Sequence, residues 1–289
     1  MKIIYEPKGL AREYAPLACN PWWGCQHNCG YCWGPHMPNP AKKGLSFAEW
    51  KTEWHRCAHI KDDALLRIES DCLTMQRKQD KRPVLFMFNG DPYCPDEPES
   101  DPMIGNPMPF TREALCILQN YGIQPIILTK GGTRACRDFD ILMAAGGWFG
   151  QTMSMLTVNY KQWEPNTATP FDREQAAGSA RDKGINTWYS VEPVLDSGES
   201  LHVVATARHV CHFKLGKLSG YDKETKAIEK SINWYDYLMQ ATTILEEAGY
   251  ERTCAPGTFE AGTYYIKAEL VEAARVIGSR ADERTEGEI

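Results

Sequence analysis

Short apolar runs alternate along this chain with longer amphipathic stretches. Val84–Asn89 (VLFMFN), Gln124–Thr129 (QPIILT), Trp148–Met155, Asn186–Val191 and Val210–Leu215 are too short for core helices. Their near-continuous apolar character predicts buried parallel strands rather than half-exposed ones. Between them the spacing predicts helices. Thr111 reads as the N-cap of one, with Glu113 in its first turn. Arg134–Ala145 ends at Gly146-Gly147, Asp172–Lys183 is closed by Gly184, Ser197–Ala207 follows, and Ser231–Ala248 is closed by Gly249. Repeated strand–helix alternation predicts an α/β fold with a parallel sheet and helices outside it. We expect a partial (β/α)6 barrel over residues 1–217 and a C-terminal helical extension, 218–289, packed on it, with a charged tail that frays from about Ser279. Chemistry in such barrels sits at the C-terminal ends of the strands. That places Gly90-Asp91, Lys130, Ser154, Glu192 and Lys217 at one mouth.

One break interrupts the alternation. Asp91–Pro109 is rich in Pro, Asp and Glu and predicts a long loop. No apolar run is long enough to cross a membrane, and the N-terminus lacks the apolar core of a signal peptide, so the expected location is the cytoplasm. The net charge of −6 weighs against a broad nucleic-acid-binding face and leaves room only for a local positive groove. The eleven cysteines are odd in number and follow no secretion signal, which argues against a disulfide framework. Cys57, Cys72, Cys116, Cys136 and Cys211 are scattered and read as small buried hydrophobes.

Three cysteines differ. Cys25, Cys29 and Cys32 stand at C-x3-C-x2-C in a loop rich in Gly and Asn. Thiolates select soft metals, either zinc or an iron–sulfur cluster. A structural zinc would need a fourth ligand, for which Cys19, His27 and His36 are the neighbours, and no second C-x2-C appears downstream. Three ligands instead leave one iron of a [4Fe–4S] cluster open.

That spacing, with Tyr31 before the last cysteine, resembles the radical S-adenosylmethionine (SAM) superfamily. Asn20-Pro21-Trp22-Trp23-Gly24-Cys25-Gln26-His27-Asn28-Cys29 resembles the lead-in of its spore photoproduct lyase-like branch. Gly90-Asp91-Pro92-Tyr93, Thr111-Arg112-Glu113-Ala114-Leu115, Leu128-Thr129-Lys130, Arg137-Asp138 and Glu164-Pro165 followed by Arg173 resemble further elements of that branch, in order, over about residues 19–217. The resemblance implies a radical SAM barrel. In it Cys25, Cys29 and Cys32 hold the [4Fe–4S] cluster, and SAM on the open iron is cleaved to a 5′-deoxyadenosyl radical that abstracts hydrogen from a substrate. It also implies a flavodoxin or ferredoxin type electron donor and a thymine-type base in DNA as substrate, for repair or hypermodification. A peptide, an RNA or a small metabolite is the alternative substrate, and a zinc-stabilised binding protein the non-enzymatic one.

The chain departs from the lyase at two places. Phe88 stands where the lyase carries a hydrogen-donor cysteine, and Trp33 stands where it carries a tyrosine. Cys94, a few residues on, is the candidate donor here, and Tyr31 and Tyr93 are the other candidates for the chemistry. Gly90 and Asp91 are expected at the SAM amino group, Lys130 at its carboxylate and Ser154 at its ribose. Lys130 is a compact cation suited to a carboxylate. Glu192 is a carboxylate ending an apolar strand and is expected to meet a ligand, a ribose hydroxyl or a cation such as Lys214. Lys214 or Lys217 is a candidate phosphate ligand. Trp22, Trp23, Trp33 and Tyr93 form an aromatic group near the triplet that suits base stacking or exclusion of water.

Overall fold

The computed structural model describes residues 2–37, 44–56, 58–95, 108–157, 159–207 and 209–286, without the side chains of 278–286. In chain order its strands are β1 (Ile4–Tyr5), β2 (Leu17–Cys19), β3 (Trp22–Trp23), β4 (His59–Ile60), β5 (Val84–Phe86), β6 (Pro125–Thr129), β7 (Trp148–Thr152), β8 (Asn186–Val191), β9 (His212–Leu215), β10 (Glu251–Thr253) and β11 (Thr263–Ile266). Its helices are α1 (Phe47–Arg56), α2 (Ala64–Arg77), α3 (Phe110–Asn120), α4 (Phe139–Ala144), α5 (Tyr160–Trp163), α6 (Pro170–Asp182), α7 (Ser197–Thr206), α8 (Lys223–Ser231), α9 (Trp234–Glu247) and α10 (Ala268–Glu286).

Nine strands form one sheet in the order β1-β2-β5-β6-β7-β8-β9-β11-β10. Every neighbouring pair is parallel except β1–β2. The sheet is open among the described residues, with β1 and β10 as its edges. Side chains alternate across it. Phe86, Ile127 and Phe149 pack outward on Ala114, Leu115 and Leu118 of α3 and Ala176 and Ala180 of α6. The alternate set, including Leu85, Met87, Leu128, Lys130, Thr152, Ser190 and Glu192, faces a single cavity on the concave side.

The predicted strands are all present, β8 with unchanged ends and the others trimmed. Helices α6 to α9 begin where a side chain satisfies a free backbone N–H. Thr169 accepts from Asp172 N (3.0 Å) ahead of Pro170, Asp196 from Glu199 N (2.9 Å), and Asp222 and Thr225 form a capping box. Gly146, Gly184 and Gly249 follow α4, α6 and α9 with φ of +62°, +77° and +86°.

Four expectations are corrected. Thr111 is not an N-cap: α3 starts at Phe110, and the Thr111 hydroxyl donates to Pro92 O (2.7 Å). The predicted Arg134–Ala145 helix is a 3-10 turn, Gly132–Asp138, followed by the short α4. Ser231–Ala248 is split, because Asn233 caps a new helix by accepting from Asp236 N (3.3 Å). The segment after residue 217 is not only helical: β11 pairs with β9, and β10 with β11, so it extends the sheet itself. The backbone remains helical through the expected fraying point to Glu286. Most of the long Asp91–Pro109 loop, residues 96–107, lies outside the described residues. No described helix is long and apolar enough to cross a membrane.

Candidate functional site

The cysteine loop leaves β3 through Gly24, whose φ of +96° favours glycine. It is then fastened from three sides. Cys25 N donates to Trp54 O (2.9 Å), and His55 Nδ1 lies 2.9 Å from Cys25 O, so the end of α1 grips the first cysteine. Gly30 N donates to Trp163 O (2.7 Å) and Asn166 Nδ2 to Gln26 O (2.9 Å), which ties the middle to the α5–α6 connection. His27 bridges Asp91 Oδ2 (3.4 Å from Nδ1) and the Arg134 guanidinium (3.3 Å from Nε2). A donating Nδ1 and an accepting Nε2 satisfy both. Gly90 brings the end of β5 against this loop: a Cβ there would lie 2.7 Å from Gly24 O.

Cys25, Cys29 and Cys32 line the cavity of about 370 Å³ at the C-terminal ends of the strands. Burial pushes the Cys25 thiol well above its usual range, the Cys29 thiol up to about 12, and the Cys32 thiol upward. Thiols in such a place stay protonated unless a metal replaces the proton. Among the described residues, no three His, Cys, Asp or Glu side chains stand close enough together to hold a single metal ion. Neither Cys19 nor His36 faces the triplet as a further ligand. Cys19 is buried in β2, and His36 stacks on Tyr221 at 4.4 Å.

The residues named from the sequence separate by whether they line this cavity. Gly90, Asp91, Lys130, Tyr31 and Glu192 line the cavity with the cysteines, as does Lys217. Ser154, Tyr93 and Cys94 are buried and do not line it. Among the described residues the Ser154 hydroxyl has no hydrogen-bond partner. Phe88 and Trp33, the two departures, do line it, with ring centres 5.2 Å apart. Lys214 is not at the mouth: it is fully buried, and its amine donates to Glu13 O and Tyr14 O, both at 2.8 Å. Burial, reinforced by Lys267, pushes its pKa well below the usual lysine range. The cation paired with Glu192 is Lys267.

Charge at the site is handled by two networks. Asp91 accepts from Tyr93 N (2.8 Å), the Thr129 hydroxyl (2.5 Å) and Lys130 N (2.7 Å). Burial alone would raise its carboxyl, but His27 and these donors hold it far below the usual range. Its carboxylate therefore knits the ends of β5 and β6 together. The second network runs from Tyr31, whose hydroxyl donates to Glu164, to the buried Glu164–Arg173 ion pair. Arg173 also donates to Thr152 O (2.9 Å), Ala168 O (3.1 Å) and the Thr167 hydroxyl (2.6 Å). Lys130 Nζ sits 5.6 Å from the Tyr31 ring centre.

The facing wall was not legible as a motif. Tyr14 donates to Glu192 Oε2 (2.5 Å), packs on Phe88 at 5.3 Å and lies under Lys267 Nζ at 3.5 Å. Glu13 accepts from the Tyr265 hydroxyl and Ala268 N, both at 2.8 Å. No sequence pattern marks the 3-10 turn Gly9–Glu13 that carries this wall. The one available signal was β11, whose Thr263–Ile266 run (TYYI) is strand-like.

The triplet fits an iron–sulfur cluster. Three soft ligands face one largely apolar cavity, a cation (Lys130) stands beside them, and among the described residues the Trp54 indole nitrogen in the same wall is buried without an acceptor.

No protein-family model matches the sequence, and no curated protein matches it in a sequence comparison. The structure does resemble solved ones. A mutant of spore photoproduct lyase superposes with a TM-score of 0.60 at 12% identity, covering 91% of this chain and 78% of that one. The lyase complexed with dinucleoside spore photoproduct gives 0.59 at 12% identity, with 91% and 78% covered. Streptococcus suis SuiB bound to S-adenosylmethionine gives 0.57 at 13% identity, over 89% of this chain and 51% of that one. The chain thus spans about half the length of SuiB. The fold is the α/β fold of these radical SAM enzymes.

Proposed function

We propose that this chain is a radical SAM enzyme in which Cys25, Cys29 and Cys32 ligate a [4Fe–4S] cluster and SAM occupies the open iron. The observation that carries the reading is that the three cysteines open onto one cavity at the C-terminal ends of the parallel strands. When bound, the pair supplies a 5′-deoxyadenosyl radical that takes a hydrogen atom from the substrate. The protein binds, orients and excludes water. Lys130, directly above Tyr31, serves as the partner of the SAM carboxylate. The backbone at Gly90 meets its amino group, while the Asp91 carboxylate keeps that backbone in place. Glu164 and Arg173 hold Tyr31 and hence the span between Cys29 and Cys32. A flavodoxin or ferredoxin type protein is the proposed electron source.

A thymine-type base in DNA is the proposed substrate. The rings of Tyr14, Phe88 and Trp33 along one side of the cavity support it, since they offer stacking faces to an extruded base.

Anaerobic reconstitution with iron and sulfide tests the cluster. The expected product is brown and holds about four irons per chain, falling sharply in Cys29→Ala. Incubation with SAM and a strong reductant should release 5′-deoxyadenosine and methionine. A colourless protein that retains zinc would sink the enzyme reading. Binding to DNA that weakens steeply with salt supports the substrate; salt-independent or absent binding speaks for another class.

A further inference from the structure

Trp54 is a buried residue of α1, 3% exposed, held between Trp50 (ring centres 5.7 Å apart) and Trp23 (6.2 Å). Three other buried indoles have acceptors. Trp50 donates to Pro35 O (2.7 Å), Trp188 to Ile127 O (3.0 Å) and Trp234 to Glu229 O (3.0 Å). Among the described residues Trp22 Nε1 and Trp54 Nε1 have none, and of the two only Trp54 lines the cavity, beside Cys25 and Cys32. A buried N–H without a partner destabilises the fold. Native structures rarely carry one without an unseen acceptor or a role.

Its surroundings locate that acceptor. A Cβ on Gly34 would collide with the Trp54 ring and stand 2.9 Å from Nε1, so the nitrogen edge lies against Gly34. The Gly34 main chain in turn hydrogen-bonds the Cys32 sulfur. The Trp54 carbonyl meanwhile holds the Cys25 amide. One residue therefore grips the first cysteine through its backbone and places an unused donor at the turn carrying the third. Glycine at position 34 is what permits that approach.

We propose that the Trp54 indole N–H donates a hydrogen bond to a sulfur of the iron–sulfur cluster and so raises its reduction potential. This rests on the cluster reading above. Sulfur gains electron density when the cluster takes up its electron, and a fixed donor stabilises that added negative charge. The surrounding tryptophans keep the ring from turning away, so the donor is in place before the electron arrives. Trp54 is thus a tuning residue, acting on the ease of reduction rather than on the substrate.

The test uses the full chain reconstituted anaerobically. Trp54→Phe keeps the ring and removes the N–H. The midpoint potential of the one-electron couple is followed by EPR during a redox titration, with iron content measured on the same samples. The expected result is an unchanged iron content and a potential more negative than that of the parent. Benzothienylalanine at position 54, which has the shape of tryptophan with sulfur in place of N–H, should shift the potential in the same direction without disturbing packing. An unchanged potential in both overturns the proposal while leaving the cluster reading intact. A parent protein that holds no cluster overturns both.

Discussion

Replacing Glu164 with glutamine isolates one charge at the heart of the site. Glu164 and Arg173 are each 1% exposed at the side chain, and burial works against both charges. Arg173, followed by Lys130, nevertheless holds the Glu164 carboxyl below its ordinary range. Glutamine keeps the volume and can still accept from the Tyr31 hydroxyl, but it leaves a buried guanidinium uncompensated. Breaking a buried pair from one side costs about 3–5 kcal/mol. Three neutral acceptors remain for Arg173, at Thr152 O, Ala168 O and the Thr167 hydroxyl, so the loss should sit near the lower end, about 3 kcal/mol. That corresponds to a fall in melting temperature of roughly 6–12 °C. Thermal unfolding followed by tryptophan fluorescence reads the change, and iron retention reads its effect on the cysteine loop. Arg173→Met and the double variant complete a cycle. The two losses should couple by about 1 kcal/mol or more, because the double variant no longer strands a charge. Additive losses within about 0.5 kcal/mol would refute the ion-pair reasoning.

Three further outcomes follow from the geometry. Gly34→Ala forces a methyl into the Trp54 ring and should cost about 1–3 kcal/mol with reduced iron loading, measured by melting and iron assay. Asp91→Asn turns an acceptor-only carboxylate into a group that cannot receive all of its donors. It should cost about 2–3 kcal/mol, read by urea denaturation. His212 gives a pH dependence: burial, helped by Lys214, pushes its imidazole down to about 3, against an unfolded value of about 6.5. Below that unfolded value the unfolded chain binds more protons, so stability should fall by about 1.4 kcal/mol per pH unit as acid is added, levelling off near pH 3. His212→Gln should flatten this slope in melting curves recorded across pH, and an unchanged slope would count against the assignment.

Much of the sheet was legible because a buried parallel strand must be apolar on both faces, and β5 to β9 announce themselves that way. The cysteine triplet was legible because its three thiols are close in sequence. What could not be read are features made by distant partners or by very short elements. β1, β3 and β4 are two residues each, too short to show a period. Lys214 sits in an apolar strand and gave no sign that its amine would turn to the main chain of residues 13 and 14 rather than to Glu192. Glu192 found its cation in Lys267, 75 residues away. Ser154 and Cys94 looked like site residues from their place in the chain, yet neither lines the cavity, since both lie past the ends of their strands, where no periodicity says which way a side chain turns.

The fastening of the Gly9–Glu13 turn has a consequence for how the protein is made. Its anchors are Lys214, Tyr265 and Ala268, separated from Glu13 by 201, 252 and 255 positions. Contacts of such long range form late. During synthesis this turn must therefore wait for residues 252 and 255 positions further on before the wall bearing Tyr14 can lock. The cysteine loop and its clamps, drawn largely from the first 173 residues, are complete well before that. The nascent chain thus passes through a stage in which Cys25, Cys29 and Cys32 are already held together while one side of the chamber still stands open.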